Sequence, residues 1–244
     1  MDRFFLDDNS IDIGCISNQE EIKHISKVLR LKQGDKIEIV DKAKMEYICE
    51  LKNVSSGSIE YDVLSKSLIK RELDIRYHLY QGIPKGSKMD TIVQKLTELG
   101  IYSITPVSLS RCVAEISGQK EEKKVSRLQR VAYEAAKQSK RLIIPQVKHP
   151  VDIKGLIKEL SDNDVNIIFY EDEKNITIKD IVQDIRTKHP ENIGFIIGPE
   201  GVITKEEAEL LKKHGCIIAS LGSRILRTET APLAALSILS YELG

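Results

Sequence analysis

No stretch of this 244-residue sequence stays apolar for the roughly 18 residues that a membrane-crossing helix needs. Its longest apolar run, near Ala231–Leu239, is interrupted by Pro232. The opening Met1-Asp2-Arg3-Phe4-Phe5 runs into Asp7 and Asp8 and has no apolar signal core, so a cytoplasmic protein is expected. Four cysteines (Cys15, Cys49, Cys112, Cys216) lie far apart, with no CxxC pair and no histidine at ligand spacing. A disulfide framework and a structural zinc site are thereby excluded, and no metal is expected. The five histidines are scattered and none pairs with a neighbour at metal spacing. No GxGxxG follows a strand, so a dinucleotide-binding Rossmann site is unsupported. There is also no Walker A lysine loop and no GxSxG elbow. What remains is a chain with 41% hydrophobic and 30% charged residues, the balance of a globular protein. Its length suits one large domain or two smaller ones and can bury a core without covalent staples.

Net charge is zero, with 37 basic and 37 acidic residues, but the charges are unevenly spread. Residues 1–72 hold 12 basic and 14 acidic side chains, residues 73–150 hold 14 and 7, and residues 151–244 hold 11 and 16. The middle segment carries a surplus of +7 inside a neutral protein. That is the pattern of a surface facing a polyanion, and on charge alone it is equally the pattern of a lysine-rich solvated face.

The first 70 or so residues read as β-rich. Ile59-Glu60-Tyr61-Asp62-Val63 alternates apolar and polar, the period of a half-buried strand. Lys36–Asp41 and Tyr47–Leu51 look similar, with turns at Gly34-Asp35 and Ser55–Ser58. One short helix is expected where Ile22, Ile25 and Leu29 share helical spacing. Short strands with little helix point to a small barrel.

After Arg71 strands alternate with helices. Strands are expected at Ile75–Tyr80, Ile104–Val107, Ile167–Tyr170, Ile193–Ile197 and Cys216–Leu221. Met89, Ile92, Val93 and Leu96 fall at i, i+3, i+4 and i+7 of a helix stopped by Gly100. Glu121–Ser139 reads as a long helix with Val125, Leu128, Ala132 and Ala135 on one face, and Thr177–Arg186 as another. Thr204-Lys205-Glu206-Glu207 is a capping box opening a helix that runs to Gly215. A last helix starts near Ala231, with Thr230 as its N-cap and Pro232 tolerated in its first turn. Repeated strand–helix units imply a parallel sheet with helices on both faces.

In such sheets ligands bind where strands end. Three ends stand out: Tyr170-Glu171-Asp172, Gly198-Pro199-Glu200-Gly201, and Leu221-Gly222-Ser223-Arg224-Ile225-Leu226-Arg227-Thr228-Glu229-Thr230. The second, taken alone, is an ordinary strand-to-helix turn whose glycines let backbone and ligand approach closely. The third crowds Arg224, Arg227 and Glu229 before a helix start, which capping does not explain.

Ile197-Gly198-Pro199-Glu200-Gly201, followed about twenty residues later by Leu221 through Ala231, resembles the SPOUT class of RNA methyltransferases. Within it, the chain resembles the bacterial family that methylates N3 of a uridine in 16S ribosomal RNA. Further matches are Arg3-Phe4-Phe5, His24 to Val28-Leu29-Arg30, Lys88-Met89-Asp90 to Gln94 through Gly100, and Glu134 through Arg141, so the likeness spans nearly the whole chain. One departure is Val202, where the family usually carries a second glycine.

The resemblance implies an α/β protein in two parts. Residues 1–72 would form a PUA-like RNA-binding β-barrel, and residues 73–244 a knotted SPOUT domain with a mainly parallel sheet. Trefoil knots are rare exceptions to ordinary chain connections, and periodicity does not reveal them. It further implies S-adenosylmethionine as cofactor, bound by Gly198, Glu200, Gly201, Leu221, Gly222, Ile225, Leu226, Thr230 and Ala231. Arg227 would stabilise charge and Glu229 would act as base or as its orienting partner. Arg3, Arg30, Lys85, Lys88, Arg111 and Arg141 would contact RNA of the small ribosomal subunit, and the protein would be a homodimer. A methyltransferase of another rRNA or tRNA nucleotide, and a non-catalytic assembly factor, stay open as alternatives.

Overall fold

The structure, a computed structural model, describes residues 1–6, 10–112, 118 and 121–244. The chain divides into two units, one of Met1–Glu72 with Lys137–Ile143, the other of Leu73–Ala136 with Ile144–Gly244.

The first unit is built on strands β1 (Asp2–Phe5), β2 (Cys15–Ile16), β3 (Lys36–Val40), β4 (Glu46–Val54) and β5 (Ile59–Ser67), with short helices α1 (Ser10–Ile13) and α2 (Gln19–Lys23). They form one curled sheet in the order β1-β3-β4-β5-β2, with β1 parallel to β3 and the other pairs antiparallel. Among the described residues no pairing joins β1 to β2, so the expected small barrel is an open half-barrel. Alternation works as read: Ile59 and Tyr61 are buried and Glu60 and Asp62 exposed. The helix expected around Ile22–Leu29 is α2 followed by a π-helical turn at His24–Val28, where Leu29 N–H reaches His24 O at 2.9 Å.

A buried ionic network ties Lys137–Ile143 into this unit. Arg3 is 1% exposed and donates to Glu38 (3.0 Å), to Glu46, and to the carbonyls of Lys140 (2.9 Å) and Arg141 (2.7 Å). Arg141, also buried, pairs with Glu72, which accepts the Leu142 N–H at 2.7 Å as well. Lys140 Nζ reaches Glu38 at 2.8 Å.

The second unit holds β6 (Arg76–Gly82), β7 (Ser103–Ser108), β8 (Gln146–Val147), β9 (Val151–Asp152), β10 (Val165–Phe169), β11 (Asn192–Ile197) and β12 (Ile217–Ala219). Its helices are α3 (Lys88–Leu99), α4 (Glu121–Gln138, whose last two residues belong to the first unit), α5 (Ile153–Leu160), α6 (Ile178–Thr187), α7 (Lys205–Lys213) and α8 (Ala231–Leu243). The strands pair in parallel in the order β12-β10-β11-β6-β7-β8, with β9 also on β7. Side chains from alternate strand positions make two cores. Leu79, Ile167, Phe195 and Ile197 pack with α3, α4, α6 and α8 on one face. Tyr80, Ile168, Ile196 and Ile218 pack with α5 and α7 on the other. Helices therefore cover both faces, as strand–helix alternation demands.

Met89, Ile92, Val93 and Leu96 are all buried along α3, and Gly100 ends it at φ 101°. The Thr204–Glu207 capping box is present, with Glu207 buried and also accepting from Ser110. β12 is shorter than the expected Cys216–Leu221 because Ser220 turns away to exchange hydrogen bonds with Ile176 and Ile178. From β12, at the sheet edge, the chain returns across the ends of β10 and β11, and Tyr77 of β6 donates to Leu239 O of α8 at 3.1 Å. Among the described residues no helix is long and apolar enough to cross a membrane.

Candidate functional site

The carboxyl ends of β10, β11 and β12 converge on a cleft of about 340 Å³. Its walls come from all three strand ends singled out in the sequence. Phe169, Tyr170 and Glu171 follow β10, Ile197 to Glu200 with Val202 and Ile203 follow β11, and Ser220 to Gly222 with Arg224 to Thr228 follow β12. Lys88 and Ala231 complete the lining.

A buried glutamine fixes the spacing of these loops. Gln81, fully buried at the end of β6, donates through Nε2 to Thr228 Oγ1 (3.0 Å), Gly82 O (3.0 Å) and Gly198 O (3.4 Å). Thr228 Oγ1 in turn donates to Gly198 O at 2.7 Å. The end of β6 is thereby linked to the loops after β11 and β12 through largely buried polar groups, which makes each bond costly to lose. Gly82 lets Pro199 sit against β6, since a Cβ there would lie 2.5 Å from Pro199 Cδ and N. Gly82→Ala should displace the Gly198–Gly201 turn, costing about 1–3 kcal/mol as overpacking does. Chemical denaturation checks this, and an unchanged midpoint would contradict it.

Gly201 does not line the cleft. Its bare Cα packs on the Arg111 backbone, where a Cβ would come within 2.6 Å of Arg111 O. It supports the turn from behind. Val202, which follows, lies at φ 60°, a left-handed conformation that β-branched residues rarely adopt. The loop thus keeps the backbone that a glycine would adopt freely, and Val202 bears the strain while lining the cleft. Val202→Gly should relieve about 1–2 kcal/mol of strain, against about 0.5–1 kcal/mol of added chain freedom. A small rise in the thermal midpoint is expected, and a fall would contradict the strain.

Of the residues expected at the cofactor, Gly198, Glu200, Leu221, Gly222, Ile225, Leu226 and Ala231 line the cleft, whereas Gly201 and Thr230 do not. Thr230 holds the N-cap position of α8, but its side chain makes no capping bond, so capping leaves that hydroxyl unexplained. Arg227 lines the cleft with its side chain 83% exposed, 4.0 Å from Glu229 Oε1.

The six expected RNA contacts separate. Arg30, Lys85 and Arg111 are exposed. Arg3 and Arg141 are corrected to structural roles, because burial and their pairing with Glu38, Glu46 and Glu72 leave them no surface for a phosphate. Lys88 is partly exposed, and its ammonium lies 2.8 Å from Glu200 Oε1 and 3.4 Å from Glu229 Oε2, in the lining of the cleft. Partial burial pushes the Glu200 carboxyl up, and hydrogen bonds from Lys88 and from backbone N–H groups outweigh it, holding Glu200 below the usual range. The thiols of Cys49 and Cys216 are pushed up to about 12 by burial, which makes them inert packing groups.

The lining combines apolar walls with charges of both signs, Lys88, Arg224 and Arg227 beside two carboxylates. Phe169, Ile197, Leu221 and Leu226 provide apolar walls, and Glu171 and Glu200 provide carboxylates. Sequence reasoning missed Gln81, although a glutamine after Leu79-Tyr80 at the end of a strand was a visible signal.

A family described as RNA methyltransferase domain matches residues 71–240, and one described as RNA methyltransferase PUA domain matches residues 16–64. The ribosomal RNA small subunit methyltransferase E of Bacillus subtilis is 36% identical over 225 residues, covering 91% of this chain and 88% of that protein. Its counterpart in Aquifex aeolicus is 33% identical over 229 residues, covering 92% and 93%. The crystal structure of the Neisseria gonorrhoeae enzyme of that name, bound to S-adenosyl methionine, superposes with a TM-score of 0.85 at 29% identity, covering 99% of this chain and 97% of that one. A match running through all three loops of the cleft, and relatives similar along nearly their whole length, place this chain in the RNA methyltransferase family.

Proposed function

We propose that this protein is an S-adenosylmethionine-dependent methyltransferase that modifies N3 of a uridine in the 16S RNA of the small ribosomal subunit. The observation that carries the reading is the cleft itself: the end of β6 and the loops after β11 and β12 are locked together, with Arg227 in the lining and Glu229 4.0 Å from it. The relatives named as small-subunit rRNA methyltransferases support it, and the Neisseria protein was crystallised with the same donor.

S-adenosylmethionine, when bound, supplies a methyl group activated by a sulfonium. Gly198, Leu221, Gly222, Leu226 and Ala231 would hold its adenosine part through backbone groups and apolar walls. Ile225, 82% exposed beside the cleft, would close over it. Gly201 supports this loop set from outside the cleft, packed on the Arg111 backbone.

Uridine N3 is an imide nitrogen that must lose its proton to become nucleophilic. Glu229, whose Oε2 accepts no hydrogen bond among the described residues, would take the N3 proton on its carboxylate. Arg227, largely exposed at the cleft, would face the negative charge that spreads onto the uracil oxygens. N3 sits inside a base pair in duplex RNA, so the target nucleotide must be unpaired or turned out of its stack. Arg30, Lys85 and Arg111 would contact phosphates.

A homodimer and a cytoplasmic location complete the reading. Helix α8 is apolar on nearly every side and leaves Tyr241 84% exposed, which suits a subunit interface. A methyl group on N3 blocks Watson–Crick pairing, so reverse transcription of treated 16S RNA should halt one nucleotide before a single uridine. Read-through identical to an untreated control would contradict the proposed atom.

A further inference from the structure

Lys88 opens α3, and its ammonium group reaches into the cleft between two carboxylates from different loops. Glu200 Oε1 lies 2.8 Å away and is itself fixed by the Lys85 N–H at 3.1 Å. On the other side Glu229 Oε2 lies 3.4 Å from the ammonium, too poorly aligned for a hydrogen bond. Two carboxylates already engage this one ammonium, so little of its charge is left for a phosphate. A role as an RNA backbone contact is therefore unfavourable for this lysine.

Resting on the proposed reaction, we infer that Lys88 is the positioning residue of the proton acceptor. Glu200 anchors the ammonium, and the ammonium in turn holds the Glu229 carboxylate against the cleft by charge alone. The Glu229 carboxylate oxygens carry further lone pairs, so the contact with the ammonium leaves them able to accept the N3 proton. Arg227 does not do this work, being 4.0 Å from the other oxygen and largely in solvent. Without Lys88 the carboxylates of Glu200 and Glu229 lose their shared counter-charge, and Glu229 turns away towards water.

A double-mutant cycle tests this. Lys88→Met should lower the single-turnover transfer rate about 10–100-fold, a typical share of a positioned acid–base group. Donor affinity, read by calorimetry, should change less than about threefold, because the proposed donor-holding residues are Gly198, Leu221, Gly222, Leu226 and Ala231. In a Glu229→Gln background the same substitution should cost less than about twofold, and Lys88→Arg should restore most of the wild-type rate. Thermal midpoints of the donor-free proteins, taken through the same cycle, should also be non-additive. Additive rate losses in an active enzyme, or a loss confined to donor affinity, would overturn the role of Lys88 alone. A wild-type protein that binds donor but methylates no ribosomal RNA would overturn the functional reading and this inference with it.

Discussion

Glu229→Gln should slow methyl transfer by about 10²–10⁴-fold, the usual contribution of a positioned general base. Glutamine keeps the size and the hydrogen-bonding reach of the side chain but cannot take the N3 proton. Arg227→Ala should cost about 10²–10³-fold, as removal of one charge-stabilising donor does. Neither change should loosen donor binding by more than a few-fold, since Glu229 is not among the cleft-lining residues and Arg227 extends into solvent. Single-turnover rates with saturating donor separate these effects from product release. Full rates in either variant, with normal donor affinity, would remove that residue from the chemistry.

The second large effect lies in the other unit and concerns stability. Arg3→Met should destabilise the half-barrel by about 3–5 kcal/mol, because it leaves two largely buried carboxylates without their counter-charge. Among the described residues, Glu46, 6% exposed, would keep Arg71 at 3.4 Å, and Glu38 would keep Lys140 at 2.8 Å. Arg30→Ala, by contrast, removes an exposed side chain and should change stability by less than about 0.5 kcal/mol. The same network sets the acid limit. Desolvation raises the Glu38 carboxyl, but Lys140 and Arg3 outweigh it and hold it below the ordinary value. A carboxyl lowered by folding stabilises at neutral pH, and that stability disappears as the pH falls through its folded value. Urea denaturation of both variants at neutral and acid pH checks the pair; equal midpoints for Arg3→Met and wild type would contradict the network.

Arg3 also shows where the sequence stops being informative. It was expected at an RNA phosphate because an arginine near a chain start carries no local sign of burial. Its partners are Glu38, Glu46 and two carbonyls near residue 140, all distant in sequence. Local patterns fared better. The i, i+3, i+4, i+7 spacing of Met89 to Leu96 and the Thr204–Glu207 capping box depend on neighbours within one or two turns, and both are present. Helix α5 and strands β1, β2, β8 and β9 went unread. The strands are too short to show a period, and α5 starts from Asp152, whose side chain accepts the Gly155 N–H at 2.8 Å.

In the cleft, the three strand ends were legible because glycine, proline and clustered charge stand out after apolar runs. What holds them together was not. Gln81 reaches Gly198 and Thr228 across 117 and 147 residues, and only the return of the chain from the sheet edge brings them together. Lys88 was read by its charge, as one member of a basic segment. Its real neighbours, Glu200 and Glu229, lie more than 110 residues away.

The most direct measurement incubates the purified protein with methyl-labelled S-adenosylmethionine and small ribosomal subunits lacking the modification, then digests the RNA to nucleosides for mass spectrometry. Label recovered as 3-methyluridine from 16S RNA is the predicted result. Label on another nucleoside, or none despite measurable donor binding, would contradict it.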